Sequence, residues 1–394
     1  MGAAWRMWGL AAGFYLVAIF HRMSLGVASL DASVRFGVST SAIAVLSTVQ
    51  LAVYLAMQVP AGVLADRLGP RRSLTLGLLA MGAGELLFAF SPTLGPALLG
   101  RALVGAGDAC MFLNVLRVAA QWLPRRRYAL ATALTGVCGS IGQLVGTAPL
   151  SAALGDLGWT PTFAGSGVLT AILAILAVRR LEDREDRADA AAQAPILPTL
   201  RRAWRTPAIR HGLWVHFALN CPFVTLTGLW AFPFLVRGQG LAPGTAAALL
   251  AGTVVVFGAC APALGQFAAR LPHRRGAVAS GVALATAGAL ALVLGWPGGH
   301  PPVALDGLAL ALAGVSGAAS MLAFDLAREA PAAGGSASGI VNIGGFSAAI
   351  AAQAAIAALV GAGLDYRVAL LPLLALVAAG GLQTLRHPRA LPAA

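Results

Sequence analysis

The chain has 394 residues, 58% of them hydrophobic and only 10% charged, with mean hydropathy +0.81. A water-soluble domain of this size cannot hide so much apolar surface, whereas a lipid bilayer solvates it. The formal net charge of +13 rests on 27 basic residues, all arginine and mostly in short segments between apolar runs, so it reads as membrane topology and excludes a nucleic-acid footprint.

A membrane-crossing helix needs roughly 17 to 25 mainly apolar residues. In chain order the pattern predicts twelve, over 8–30, 41–64, 73–91, 96–119, 129–151, 161–178, 211–236, 244–268, 276–295, 303–324, 337–360 and 367–385. The first follows Arg6, is too long for a signal-peptide core and carries no cleavage pattern, so it reads as a retained helix. Inside such runs the 48 glycines and 22 prolines argue for close helix packing and kinks rather than disorder. Cys110, Cys138, Cys221 and Cys260 all lie in apolar segments without metal-ligand spacing and read as small buried side chains.

With the N-terminus cytoplasmic, the inside segments hold Arg67, Arg71, Arg72, Arg125, Arg126, Arg127, Arg270, Arg274, Arg275, Arg328, Arg386 and Arg389, with further arginines between 179 and 210. The outside loops keep Arg35, Arg237 and Arg367. The positive-inside rule therefore places both termini in the cytoplasm. The stretch 179–210, with LEDREDRADAAAQ, is the one long polar segment, and its alanines suit a partly helical surface linker. It divides the chain into an N-terminal bundle, 1–178, and a C-terminal bundle, 211–394.

The halves match each other. Residues 62–72 read GVLADRLGPRR and residues 265–275 read GQFAARLPHRR. The same spacing that pairs Gly62 with Gly265 and Arg71, Arg72 with Arg274, Arg275 also pairs Gly136 with Gly339 and Gly142 with Gly345. Repeated six-helix halves place a substrate between them near the midplane. In the loop after span two, Gly62 permits close helix approach, and Asp66 is an acid within reach of Arg67, Arg71 and Arg72. Such a cluster can latch one conformational state and release in the other; alternatively the arginines only obey the inside rule. Ala269 stands where the second copy would need an acid.

GVLADRLGPRR resembles the signature loop of the major facilitator superfamily, and RALVGAGDA at the start of span four is similar to its fourth-span motif. The resemblance covers nearly the whole chain. It implies an all-α membrane protein of twelve helices in two pseudo-symmetric six-helix bundles, working as a secondary transporter.

A charged side chain at bilayer depth costs at least roughly 2.5–3.5 kcal/mol and marks a candidate functional site. His21 and Arg22 fall in span one, Glu85 in span three, Arg101 and Asp108 in span four, and His216 in span seven. Arg22 offers a permanently charged planar fork suited to carboxylate or phosphate. The stretch AIFHRMSLGVAS resembles the first span of the organic-anion/proton symporters and organophosphate antiporters, where an arginine binds the anionic group of the substrate. Two departures matter. The matching position in the second half is Thr225, against the symmetric arginine pair of the organophosphate branch. The symporters commonly carry an acid where this chain has His21. His21 is open to a role in proton handling, since histidine changes charge near physiological pH, or to a purely structural one. Asp108 stands where the symporter motif carries a proton-coupling glutamate. Competition between Asp108 and a substrate anion for Arg22 would couple the two, or the pair is a permanent structural bridge.

Tyr54 and Gln58 share a helical face, and with Pro60 and Gly62 they resemble a symporter pattern. Tyr54 is a candidate substrate neighbour, while Gln58 can bond backbone freed by Pro60. Asn220, one turn from His216, and Asn342, among glycines in span eleven, can line a polar cavity or bond another helix. Glu85 is set aside because span three is peripheral in this fold, and Arg101 is expected near the outer interface. Span five resembles the glycine-proline signature of drug/proton antiporters only loosely, since Pro149 comes late.

The GxxxxGKS/T nucleotide loop is absent, as are HExxH and any placeable serine–histidine–acid set. The sequence therefore reads as no enzyme, with no cofactor and no metal site. It reads as a functional monomer in a bacterial inner membrane, taking a small, anionic substrate and protons. Two alternatives stay open: a proton-driven drug or metabolite exporter, and a transporter-like membrane sensor.

Overall fold

The computed structural model describes residues 2–38, 40–146, 148–184, 198, 201, 204–328 and 335–386. Within these, the side chains of Asp66, Arg125, Arg126, Arg328 and Arg386 lie outside the described residues, as do Arg389 and most of the 179–210 linker. The chain forms two compact units, 1–196 and 197–394.

The first unit contains α1 (Gly2–Phe36), α2 (Thr40–Ala56), α3 (Gln58–Phe90), α4 (Leu94–Ala109), α5 (Met111–Trp122), α6 (Arg125–Val145), α7 (Ala148–Leu157) and α8 (Trp159–Arg180). The second contains α9 (Pro207–Thr225), α10 (Pro243–Arg270), α11 (Arg275–Leu294), α12 (Val303–Ala319), α13 (Leu322–Arg328), α14 (Gly335–Gly361), α15 (Tyr366–Ala369) and α16 (Leu371–Arg386). Ten helical runs among the described residues are long and apolar enough to cross a membrane. The shorter apolar helices Ala42–Ala56 and Leu130–Val145 supply the second and fifth crossings of the twelve. The first helix is longer than its predicted span, running to Phe36, and span ten starts cleanly at Val303 with Asp306 in its first turn.

Several crossings are broken where the sequence removes a backbone bond or demands a turn. Gly69 adopts φ 78°, ψ 164° and Pro70 restarts the helix, so the signature loop is a glycine stop followed by a proline start within α3. Span four is divided at Cys110 between α4 and α5. Asn114 on the next turn bonds the Cys110 carbonyl at 2.6 Å and Ser73 Oγ at 2.9 Å, taking up a group that the break loosens. Span seven continues past α9 through two π-helical turns, Leu226–Trp230 and Phe234–Gly238, with Pro222 and Pro233 nearby.

The two units repeat one packing scheme. In the first, α1 lies against α6, α2 against α4, and α3 against both α4 and α8. In the second, α9 lies against α14, α10 against α12, and α11 against both α12 and α16. The repeat reaches single residues. A side chain on Gly142 would press on the α1 backbone, 3.0 Å from the Leu16 carbonyl carbon. On Gly345, its repeat partner, a side chain would meet Asn220 Cβ of α9 at 2.8 Å. Glycine lets these helix pairs approach closely where hydrocarbon offers no hydrophobic drive for association. By contrast, no described atom lies within 4 Å of a Cβ placed on Gly62.

Gly142→Val is expected to lower the melting temperature of the purified protein and its monodisperse yield, by the about 1–3 kcal/mol typical of overpacking. Gly13→Val, at a position with nothing within 4 Å, leaves both unchanged. Fluorescence-detected size exclusion and thermal scanning in detergent read the difference.

Candidate functional site

The first unit carries two acid–base clusters, and α1 supplies a member to each. His21 and Arg22 are adjacent, about 100° apart around the helix, so their side chains leave α1 in different directions.

Arg22 reaches α4. Its Nε donates to Asp108 Oδ2 at 2.7 Å and one terminal nitrogen donates to Oδ1 at 2.8 Å, a bidentate fork. The Arg22 side chain keeps 7% of its surface exposed, and Asp108 keeps 1%. The guanidinium carbon stands 4.5 Å from the centre of the Tyr54 ring, a cation–π contact from α2. Tyr15, two turns earlier on α1, packs its ring 5.4 Å from that of Phe112. Three predicted site residues, Arg22, Tyr54 and Asp108, therefore form one cluster. Gln58 donates to the Tyr54 backbone carbonyl at 3.2 Å, which is not the carbonyl that Pro60 leaves without its helical donor.

His21 points toward α3 and α8. Its Nε2 is 2.7 Å from Thr170 Oγ1, and its Nδ1 is 3.4 Å from Glu85 Oε1. The other carboxylate oxygen of Glu85 is 3.7 Å from an Arg101 terminal nitrogen. Arg101 also donates to the His21 carbonyl at 2.9 Å, to Ser24 Oγ at 3.3 Å and to Gln50 Oε1. His21, Glu85 and Arg101 are all fully buried. Two side chains that the sequence reading left outside the site are part of this cluster. Arg101 is enclosed because α4 packs into α2 and α3 and turns its guanidinium onto α1. Glu85 is enclosed because α3 lies between α4 and α8 and aims the carboxylate inward. Sequence reasoning held the signal, an intramembrane acid and base in one half, but position along a span does not say which neighbours a side chain meets.

In the second unit, Asn220 and Asn342 are buried at 7% and 3%. The Asn220 amide nitrogen has no hydrogen-bond partner among the described residues. His216 accepts from the Gly345 N–H at 3.1 Å and lies against Phe324 and Phe346, so it ties α9 to α14. Thr225 is fully buried. Asp306 is buried beside Leu226, Leu290, Leu310 and Leu370, with neither carboxylate oxygen bonded to a described residue.

At the signature loop, Arg67 and Arg72 are exposed and the Asp66 side chain lies outside the described residues. Arg71 is engaged within its own unit: its backbone N–H donates to Asp183 Oδ1 at 2.9 Å, and its guanidinium donates to the Val178 carbonyl at 2.5 Å. Asp183 fills the space beside Gly69, where a Cβ would come within 2.8 Å of its carboxylate. Trp122 Nε1 donates to the Glu182 carbonyl at 3.3 Å, and Arg184 lies over the Trp122 ring. The start of the predicted linker is therefore pinned to two loops of the first unit.

The family model of the Major Facilitator Superfamily matches residues 10–353. The chain belongs to the major facilitator superfamily. Among proteins similar to it are three members of known designation. MdtD of Yersinia pseudotuberculosis, named for multidrug resistance, is 31% identical over 36% of this chain and 31% of the relative. The inner membrane transport protein RhmT of Escherichia coli is 28% identical over 39% and 38%. SauU of Cupriavidus necator, named for sulfoacetate transport, is 23% identical over 39% and 36%. The chain spans about a third of the length of these curated relatives. Membership and the ten helical runs long and apolar enough to cross a membrane make the chain a multi-pass membrane protein.

Removing one partner of a buried ion pair leaves an uncompensated charge, at about 3–5 kcal/mol. Asp108→Leu alone is expected to lower the melting temperature strongly. The double change Arg22→Met with Asp108→Leu recovers most of the loss, as thermal scanning of the three proteins in detergent will read.

Proposed function

We propose that this major facilitator is a proton-coupled secondary transporter of small organic anions. The observation that carries the reading is the bidentate Arg22–Asp108 bridge, flanked by Tyr54 and still slightly exposed on the arginine side. The carboxylate of Asp108 occupies the fork that a substrate carboxylate or sulfonate would take. A proton on Asp108 cancels its charge and frees the guanidinium. The substrate anion then replaces it, and loss of the proton reverses the exchange. The order of events makes anion and proton travel together. Asn220 and Asn342 serve as neutral polar substrate contacts, and His21 takes part with Asp108 in proton handling.

Both termini and the linker over 179–210 lie in the cytoplasm, between bundles 1–178 and 211–394, in a bacterial inner membrane. The loop residues Gly62, Asp66, Arg67, Arg71 and Arg72 act as a conformational gate at that face, and the protein works as a monomer. SauU, named for sulfoacetate, favours a small-anion cargo, and a relative from Agrobacterium vitis is named for tartrate. The multidrug name of MdtD favours the second reading, proton-driven export of drugs. A transporter-like sensor is the third, and it requires ligand binding without flux.

Liposomes containing the protein, with an imposed proton gradient, decide among the three. Wild type is expected to accumulate sulfoacetate or tartrate rather than cationic dyes. Loss of the charge-assisted fork in Arg22→Ala should cut uptake at least about tenfold, since each 1.4 kcal/mol is a factor of ten. Asp108→Asn should keep anion exchange and lose the response to the gradient. Anion uptake that survives Arg22→Ala rejects the binding role.

A further inference from the structure

We propose that His21 and Glu85 together form a second proton-binding site, separate from Asp108, holding one exchangeable proton between them. The hydrogens around this closed cluster can be counted. Thr170 has one hydroxyl hydrogen, and it is committed: Thr170 Oγ1 donates to the Ser166 carbonyl at 2.8 Å. Its oxygen can therefore only accept from His21 Nε2 at 2.7 Å. That fixes a hydrogen on Nε2 and, in a neutral imidazole, leaves Nδ1 with a bare lone pair. Nδ1 faces Glu85 Oε1 at 3.4 Å, and neither atom has a hydrogen-bond partner among the described residues. An ionised carboxylate against that lone pair is repulsive in a site with no solvent exposure. One proton, on the carboxyl or on the ring, turns the repulsion into an attraction.

The surroundings tolerate the proton's departure as well as its arrival. The charged groups facing the pair are Arg101 from α4 and, beyond it, Asp108 of α4 with Arg22 of α1; α8 contributes Thr170 and α2 contributes Gln50, both neutral. With the proton present, Arg101 is held by neutral acceptors, the His21 carbonyl, Ser24 and Gln50. With the proton gone, Glu85 is left negative, and its Oε2, 3.7 Å from the Arg101 guanidinium, forms an ion pair that offsets the contact of Oε1 with the bare Nδ1. A group with two compensated states exchanges a proton; one with a single compensated state only stores it. Because α1 carries both His21 and Arg22, a change at this pair acts on the helix that holds the proposed anion ligand. That coupling rests on the transport reading, whereas the proton site itself does not.

The test uses the full chain in lipid nanodiscs without substrate. Potentiometric titration counts the protons bound between alkaline and acidic pH for wild type, Glu85→Gln and Asp108→Asn. Glutamine is isosteric and donates to Nδ1 itself, so Glu85→Gln is expected to bind one proton fewer, while Asp108→Asn retains the Glu85 proton step. An equal count for wild type and Glu85→Gln overturns the proposal. If Glu85→Gln does not fold, 15N spectra of histidine-labelled wild type decide, with His21 assigned by His21→Gln. The His21 Nδ1 signal should shift as the proton leaves, and a signal constant across the whole pH range overturns the proposal. A wild type that carries no anion would count against the transport reading alone.

Discussion

The first unit is organised around the need to neutralise charge out of water. A guanidinium cannot shed its proton, so each arginine buried among the helices must find an acid or a ring of acceptors. Arg22 has the Asp108 carboxylate in a two-bond fork. Arg101 has Glu85 at a looser distance and three closer neutral oxygens. A tight fork is a strong, directional bond that only a competing anion or a proton can break. A loose pair backed by neutral acceptors survives either charge state of its acid. The two clusters sit on adjacent residues of one helix, and their different geometry suits them to different tasks.

Backbone breaks and small residues set this geometry. Asp108 lies two residues before the break at Cys110, where the helix tightens and Asn114 takes up the released carbonyl. Gly84 and Gly100 let α3 and α4 approach until their backbones nearly touch, which draws Glu85 and Arg101 together from neighbouring positions. A larger residue at either glycine would push the helices apart and lengthen a pair that is already at 3.7 Å. The sequence feature that first looks like mere tolerance of close packing is therefore also what fixes the electrostatics.

Much of this was legible in the chain itself, and the limits have physical causes. Twelve apolar runs and the constant spacing between GVLADRLGPRR and GQFAARLPHRR carried the architecture, because span length and repeat spacing are one-dimensional properties. Arg22 and Asp108 were recognisable as partners because both stood near the middle of their spans. That Arg101 and Glu85 meet was not legible, because the direction in which a side chain leaves its helix is set by which neighbours pack there, and that is a three-dimensional property. Asp183 was missed as the partner of Arg71 for a similar reason. Its charged surroundings read as a solvated linker, whereas the glycine turn at 69 opens a space that only its carboxylate fills.

The second unit repeats the scaffold without repeating the charges. Where α1 carries Arg22, α9 carries the neutral Thr225, and its buried polar side chains include Asn220, Asn342 and Gln353. On the proposed reading this asymmetry limits the cargo. Once Asp108 is protonated, the first unit presents one unpaired guanidinium, and with no second arginine at the repeat position it matches the charge of one acid group only, so the second acid group of sulfoacetate or tartrate has to be met by neutral donors or carry a proton of its own. A single carboxylate or sulfonate restores neutrality, and the neutral amides can bond a hydroxyl or carbonyl without demanding a charge. On that reading the first unit supplies the charge that is exchanged, and the contacts proposed in the second unit are neutral, so their strength does not change with the proton.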